Sequence, residues 1–204
     1  MKVNEIFVSI QGEGKYIGKP QVFVRLQGCN LECSWCDTRY AREGEGTEMD
    51  VSEILKKLKK SGLKSVCITG GEPMMQRAEL KHLVKKLKKE KYEIVMETNG
   101  TLYDKEIFDT VDCVSFDVKP PSSGEESDSN LLKKLKKKDQ VKVIIAGEND
   151  YHFAKKLLPK IKPDVDVIFQ PLGGTNLKWL SEKIMADKLR VRILPQLHKL
   201  AGLK

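Results

Sequence analysis

The sequence predicts one α/β domain over residues 1–204, built as a partial, incomplete (βα) TIM-like barrel. Apolar, strand-like runs alternate with amphipathic helical patterns along most of the chain. Glycine and polar residues gather directly after those runs, where the loops of a βα fold converge on a ligand. A chain of 204 residues with this spacing holds too few βα units to close eight strands, and one hydrophobic core suits its length.

The strand-like runs begin with Gln21 to Leu26, read as the first strand of the sheet, and continue through Ser65 to Thr69, Glu93 to Glu97 and Cys113 to Asp117. Val141 to Ala146, Val165 to Phe169 and Arg190 to Leu194 follow. Between them, Asp50 with Glu53 makes a capping box for a helix to Lys60, whose apolar face is Val51, Ile54, Leu55 and Leu58 and whose stop is Gly62. Leu80, Leu83, Val84 and Leu87 repeat that spacing, as do Leu177, Leu180 and Ile184. Repeated strand-then-helix order with short connections means a parallel sheet with right-handed crossovers. Pro120 to Ser129, rich in Pro, Ser, Gly and acids, reads as a mobile loop.

A formal charge of +8 invites a nucleic-acid reading. The lysines instead fill the solvent faces of helical patterns at Lys56 to Lys60, Lys85 to Lys89 and Lys133 to Lys138, with little aromatic interleaving to stack bases. No direct nucleic-acid contact is expected. No stretch approaches the roughly 20 apolar residues of a membrane helix and the first ten residues lack a signal-peptide core, so the expectation is a cytoplasmic protein without membrane contact.

Five cysteines are an unlikely disulfide framework in a reducing compartment. Cys67 and Cys113 sit in apolar runs and read as core. Cys29, Cys33 and Cys36 are separated by three and then two residues, so one loop can wrap a single metal centre. Thiolates favour iron-sulfur clusters or zinc. A structural zinc site needs a fourth ligand, and His82, His152 and His198 all lie far along the chain; a cubane on three cysteines leaves one iron open to a small molecule.

Cys-x3-Cys-x2-Cys with Trp35 before the third cysteine resembles the signature of the radical S-adenosylmethionine (SAM) superfamily, and Gly70-Gly71-Glu72-Pro73 resembles its SAM-binding motif. The resemblance implies a radical SAM barrel in which SAM chelates the open iron of a 4Fe-4S cluster and is cleaved by one electron to a 5'-deoxyadenosyl radical. A narrower resemblance, spanning nearly the whole chain, is to the 7-carboxy-7-deazaguanine synthase family. It is carried by Ile10-Gln11-Gly12-Glu13-Gly14, Phe23-Val24-Arg25-Leu26-Gln27-Gly28-Cys29-Asn30-Leu31, Trp35-Cys36-Asp37-Thr38, Glu97-Thr98-Asn99-Gly100 and Leu194-Pro195-Gln196-Leu197-His198-Lys199. It implies conversion of 6-carboxy-5,6,7,8-tetrahydropterin to the deazaguanine by radical ring contraction with loss of ammonia, a carbon-nitrogen lyase reaction using Mg2+. The product would feed queuosine or archaeosine biosynthesis. A homodimer and an electron donor such as flavodoxin or ferredoxin are implied as well.

The resemblance also implies roles. The Ile10 backbone, Gln11 and Gly12 would contact the pterin edge, and Glu13 would accept from its guanidine-like side or be a solvated acid. Arg25, among apolar strand neighbours, would bind the substrate carboxylate. Thr69 would touch substrate, and Thr38 would ligate Mg2+ with Asp37 as a competing or supporting ligand. Gly71 would let SAM approach the backbone, Glu72 would accept from its ammonium, and Ser115, Asp117, Lys119 and Gln170 would hold its ribose, carboxylate and adenosyl parts. Leu197 stands where many members have threonine. Two other readings compete: a glycyl-radical enzyme activase, which acts on a protein, and a zinc-bearing RNA-binding module. Gln11-Gly12-Glu13-Gly14 and Asp37-Thr38 weigh against the first.

Overall fold

In the computed structural model, which describes residues 1–204, each apolar run pairs with the next to form one sheet. The first two strands are β1 (Lys2–Ile10) and β2 (Pro20–Leu26), followed by helix α1 (Arg39–Glu43), β3 (Thr47–Glu48), α2 (Val51–Lys60), β4 (Ser65–Gly70), α3 (Arg77–Lys89) and β5 (Glu93–Thr98). Next come α4 (Lys105–Thr110), β6 (Cys113–Val118), β7 (Gln140–Ile145), α5 (Glu148–Leu157), β8 (Asp166–Pro171), α6 (Leu177–Ala186), β9 (Arg192–Ile193) and α7 (Leu197–Ala201). The order across the sheet is β3-β1-β2-β4-β5-β6-β7-β8-β9, with two free edges, so the barrel is indeed incomplete. From β2 onward every neighbouring pair is parallel, whereas β1 is antiparallel to both β2 and β3.

The outer layer follows the predicted stripes. Asp50 caps α2 with both halves of its capping box in place, and Ile54, Leu55 and Leu58 are buried beneath it. In α3, Leu80, Leu83, Val84 and Leu87 join one core of 37 buried residues that runs behind the whole sheet. Strand residues alternate between this core and the opposite face. Thus Val141 and Val143 are buried in the core while Lys142, between them, points the other way into a polar cavity.

Three expectations change. The sheet begins at Lys2, not at Gln21, because the charged-apolar alternation of residues 2–10 is a strand pattern whose Glu5 pairs in register with Arg25. The Lys133 to Lys138 run is no α-helix; only a 3-10 segment at Ser129–Lys134 forms there, with Leu132 and Leu135 inserted into the core. Pro120 to Ser129 is held in place as well. Ser34 N donates to Ser123 O (2.9 Å), Trp35 Nε1 to Ser122 Oγ (3.0 Å) and Glu32 N to Glu125 Oε1 (2.6 Å), so the segment is a wall for the cysteine loop. No helix is long and apolar enough to cross a membrane.

Candidate active site

The loops after β2, β4, β5, β6 and β8, with α7, surround one cavity of about 360 Å³. Cys29, Cys33 and Cys36 all line it, as do Asp37 and Thr38. The turn that starts the cysteine loop is locked to the glycine motif: Glu72 N donates to Gly28 O (2.8 Å) and Gly71 N to Leu26 O (3.1 Å). A side chain at Gly71 would overlap the Gly28 carbonyl and press on the Cys29 Cβ, so glycine is required by close backbone approach.

The thiols carry no disulfide, and burial raises the pKa of Cys29 and Cys33 against the pull of neighbouring donors and Lys119. Asn99 Nδ2 lies 3.8 Å from Cys29 Sγ, and Thr38 Oγ1 lies 3.8 Å from Cys36 Sγ. Three thiols from one short loop, opening on one cavity with hydrogen-bond donors beside them, form a donor set that fits a cluster of thiolate-bound irons. Cys67 and Cys113 are buried strand residues remote from that donor set, with burial pushing the Cys113 thiol up to about 12.

On the opposite wall, charges from distant segments meet. Lys142 Nζ contacts Glu13 Oε2 and lies 3.1 Å from Asp117 Oδ1, while Lys119 Nζ lies 3.7 Å from Asp117 Oδ2. Gln196 Nε2 donates to Glu13 Oε1 (2.7 Å). Burial opposes the charge on Glu13, but Lys142, Gln196 and His198 prevail and lower its pKa. Asp117 goes the other way, since burial outweighs Lys142 and Lys119 and raises it. Its Oδ1 is buried and, despite the nearby ammonium, makes no hydrogen bond, an acceptor left open on the cavity wall.

Arg25 is held flat, with its guanidinium 5.5 Å from the Phe7 ring centre and 5.8 Å from that of Tyr40, while its Nε donates to Glu5 (2.9 Å). The Nη atoms make no internal hydrogen bond and Arg25 lines the cavity. Thr69 Oγ1 donates to Glu97 Oε2 (2.7 Å). Gln11 Nε2 reaches Gln21, Cys67 and Glu97, and its Oε1 accepts from Glu13 N (3.1 Å). Ile10 and Gly12 line the cavity beside it. Gly12 faces His198, leaving no room for a side chain, and its carbonyl accepts from Leu197 N. Thr38 is the N-cap residue of α1 yet makes no capping hydrogen bond, and the one partner of its hydroxyl is the Cys36 thiol. Asp37 pairs with Lys199 (3.0 Å); burial resists its charge, but His198 and Lys199 hold its carboxyl well below the usual range.

Three expected contacts sit elsewhere. Glu72 is fully buried, and its carboxylate accepts from Met74 N (2.9 Å), Thr98 Oγ1 (2.8 Å) and Asn99 N (2.6 Å), so it holds the turns together instead of facing the cavity. Ser115 accepts from Gln140 Nε2 (2.8 Å), and Gln170 donates to Pro195 O (2.8 Å); neither lines the cavity. Conversely, the sequence reading passed over Lys142. The signal was there in a lysine amid Val141, Val143, Ile144 and Ile145, where strand alternation puts it on the ligand side.

The chain resembles known radical SAM proteins in sequence and fold. The family model described as the radical SAM superfamily matches residues 23–147. The chain is 41% identical to the 7-carboxy-7-deazaguanine synthase of Methanospirillum hungatei over 100% of its own length and 86% of the relative's. It is 38% identical to the protein of that name from Thermoplasma acidophilum, covering 98% of this chain and 96% of the relative. Among solved structures it is similar to QueE from Escherichia coli, with a TM-score of 0.73 at 24% identity over 95% of this chain and 93% of that one. Streptococcus suis SuiB bound to S-adenosylmethionine superposes with a TM-score of 0.60 at 14% identity, over 82% and 48% of the two chains.

Proposed function

The chain belongs to the 7-carboxy-7-deazaguanine synthase family of radical SAM enzymes, a lyase family that turns 6-carboxy-5,6,7,8-tetrahydropterin into 7-carboxy-7-deazaguanine with loss of ammonia, and from that premise we propose how its residues divide the work. The observation that carries the proposal is the meeting of Cys29, Cys33 and Cys36 with Arg25, Glu13 and Asp117 around one cavity.

The cluster is assigned to the three cysteines. With SAM bound, it supplies the one-electron radical chemistry of 7-deazapurine biosynthesis. Asp117 and Lys119 are placed on the SAM side, where the open Oδ1 of Asp117 suits a ribose hydroxyl donor. Gly71 lines the cavity there with its Cβ side packed on the Gly28 carbonyl, while Glu72, Ser115 and Gln170 support that wall from behind.

The substrate side is assigned to Ile10, Gln11, Gly12, Glu13, Arg25 and Thr69. The free Nη edge of Arg25 suits the pterin carboxylate. Glu13, kept anionic by Lys142, suits a guanidine-like edge. Thr38 is offered as the protein ligand for Mg2+, since its hydroxyl is uncapped and lines the cavity; substrate and water oxygens would complete the shell. Because Asp37 is already paired with Lys199, it is given the supporting role. A homodimer reduced by flavodoxin or ferredoxin completes the proposal, on family grounds alone.

Mass spectrometry of products after anaerobic reconstitution with iron and sulfide tests the reading, with SAM, a reductant, Mg2+ and the pterin supplied together. The expected result is 7-carboxy-7-deazaguanine; 5'-deoxyadenosine without it would overturn the substrate assignment. Cys33→Ala should bind no intact cluster and cleave no SAM while keeping its circular dichroism spectrum. A variant that still loads a complete cluster would contradict the ligand assignment.

A further inference from the structure

Lys142 is 3% exposed, yet it is charged and lies in the middle of an apolar strand. The register of β6 against β7 sets it beside Asp117, and the loop after β1 brings Glu13 to its other side. Burying an ion pair gives little net stability relative to an apolar side chain of similar volume. Apolar side chains at all three positions would satisfy the fold at least as well, so the reason for an ammonium at position 142 lies in the two carboxylates that it faces. Each of those carboxylates has a further partner of its own. Glu13 leans on Gln196, next to Gly12 and Gln11; Asp117 leans on Lys119, which itself stands 5.7 Å from the Trp35 ring beside the cysteines.

Building on the division of the site proposed above, we infer that Lys142 is a positioning residue that holds Glu13 toward the pterin and Asp117 toward SAM, so that one buried cation orders both binding half-sites. The groups that bear on it are few. Glu13 faces Lys142 from β7 and His198 from α7, while Asp117 faces Lys142 and Lys119 and is opposed by the negative charges of Glu13 and Glu97. Lysine reaches both acids from one Cβ because it carries three donors on a flexible stem.

The test is equilibrium binding on the anaerobically reconstituted protein, with SAM alone and with 6-carboxytetrahydropterin alone as probes. Glu13→Gln should weaken the pterin at least tenfold and leave SAM within twofold, and Asp117→Asn should do the reverse. Lys142→Met should weaken both at least fivefold. It should also make pterin affinity fall as the pH drops through a range where the wild type is flat. The sign follows from the ion pair: Lys142 keeps the Glu13 pKa low, so without it the carboxyl takes up a proton at higher pH. In a Glu13→Gln background the same substitution should cost no further pterin affinity. Lys142→Arg should recover part of both affinities, and Lys142→Gln carries the comparison should the methionine variant not fold.

Loss of thermal stability with both affinities within twofold of wild type would overturn the inference and leave Lys142 a structural residue; so would weakening of only one ligand. A wild-type protein that binds SAM but not the pterin overturns the substrate assignment instead. The SAM arm of the comparison between Lys142→Met and Asp117→Asn then still decides whether Lys142 positions Asp117.

Discussion

Arg25 enters the cavity with one edge of its guanidinium taken by Glu5 and with the rings of Phe7 and Tyr40 beside it, which leaves a fork whose two Nη groups are unused. Lysine keeps the charge but not the fork. Arg25→Lys should therefore raise the KM for the pterin by on the order of tenfold, the worth of one charge-assisted hydrogen bond of roughly 1.5 kcal/mol, with SAM affinity unchanged in a binding titration. Glu72 has the opposite character. All three of its hydrogen bonds come from N–H or O–H donors, so an amide in its place would set an NH2 against a donor. Glu72→Gln should lower stability by about 1–3 kcal/mol in denaturant unfolding, even though the shape is preserved. These two residues also mark how far the sequence could be read. Arg25 and the three cysteines announce themselves by local context: a cation in an apolar strand, and thiols at ligand spacing within eight residues. Two of the three partners of Glu72 lie 26 and 27 positions away, at the end of another strand, and nothing near Glu72 distinguishes an acid bonded to the protein from one awaiting a ligand.

At the scale of elements, the parallel strands and helices α2, α3 and α6 were legible because burial on one face writes a period into the sequence. β1 was harder to read. Its residues are partly exposed on both faces, so its charged-apolar alternation is weak beside the apolar runs, and pairing with β2 is what makes the strand plain. The segment at 120–129 misled for a related reason: Pro, Ser and Gly describe a chain that avoids regular structure, which is not the same as one that moves. Its hydrogen bonds to the cysteine loop depend on tertiary placement alone. The sharpest element-level constraint is the junction of the β2 and β4 loops at Gly28 and Gly71. Gly71→Ala should force these turns apart, which the backbone hydrogen bonds joining them cannot absorb. The expected result is lower iron content per chain and weaker SAM binding, measured by metal analysis and calorimetry. Unchanged values for both would show that the loops adjust.

Across the whole molecule, the open sheet leaves a gap between its edges that the last residues cover. Leu197 N bonds Gly12 O, Gln196 bonds Glu13 and Gly173 N, and Ser9 Oγ donates to Lys204 O. Removing residues 197–204 should leave the cooperative melt of the 37-residue core largely intact, because none of them belongs to it. Pterin affinity should nevertheless fall, as α7 walls that side; an unchanged binding isotherm would exclude that role. The pairing of Gln196 with Glu13 spans 183 positions, the reach of nearly the whole chain, and no local motif could have announced it. It also imposes an order in time. During synthesis at roughly 5–20 residues per second, the cysteine loop leaves the ribosome seconds before the segment that walls the cavity. For that interval the cysteine loop is without the wall that α7 adds to the cavity. The chain thus offers its ligands first and draws its cover over them last.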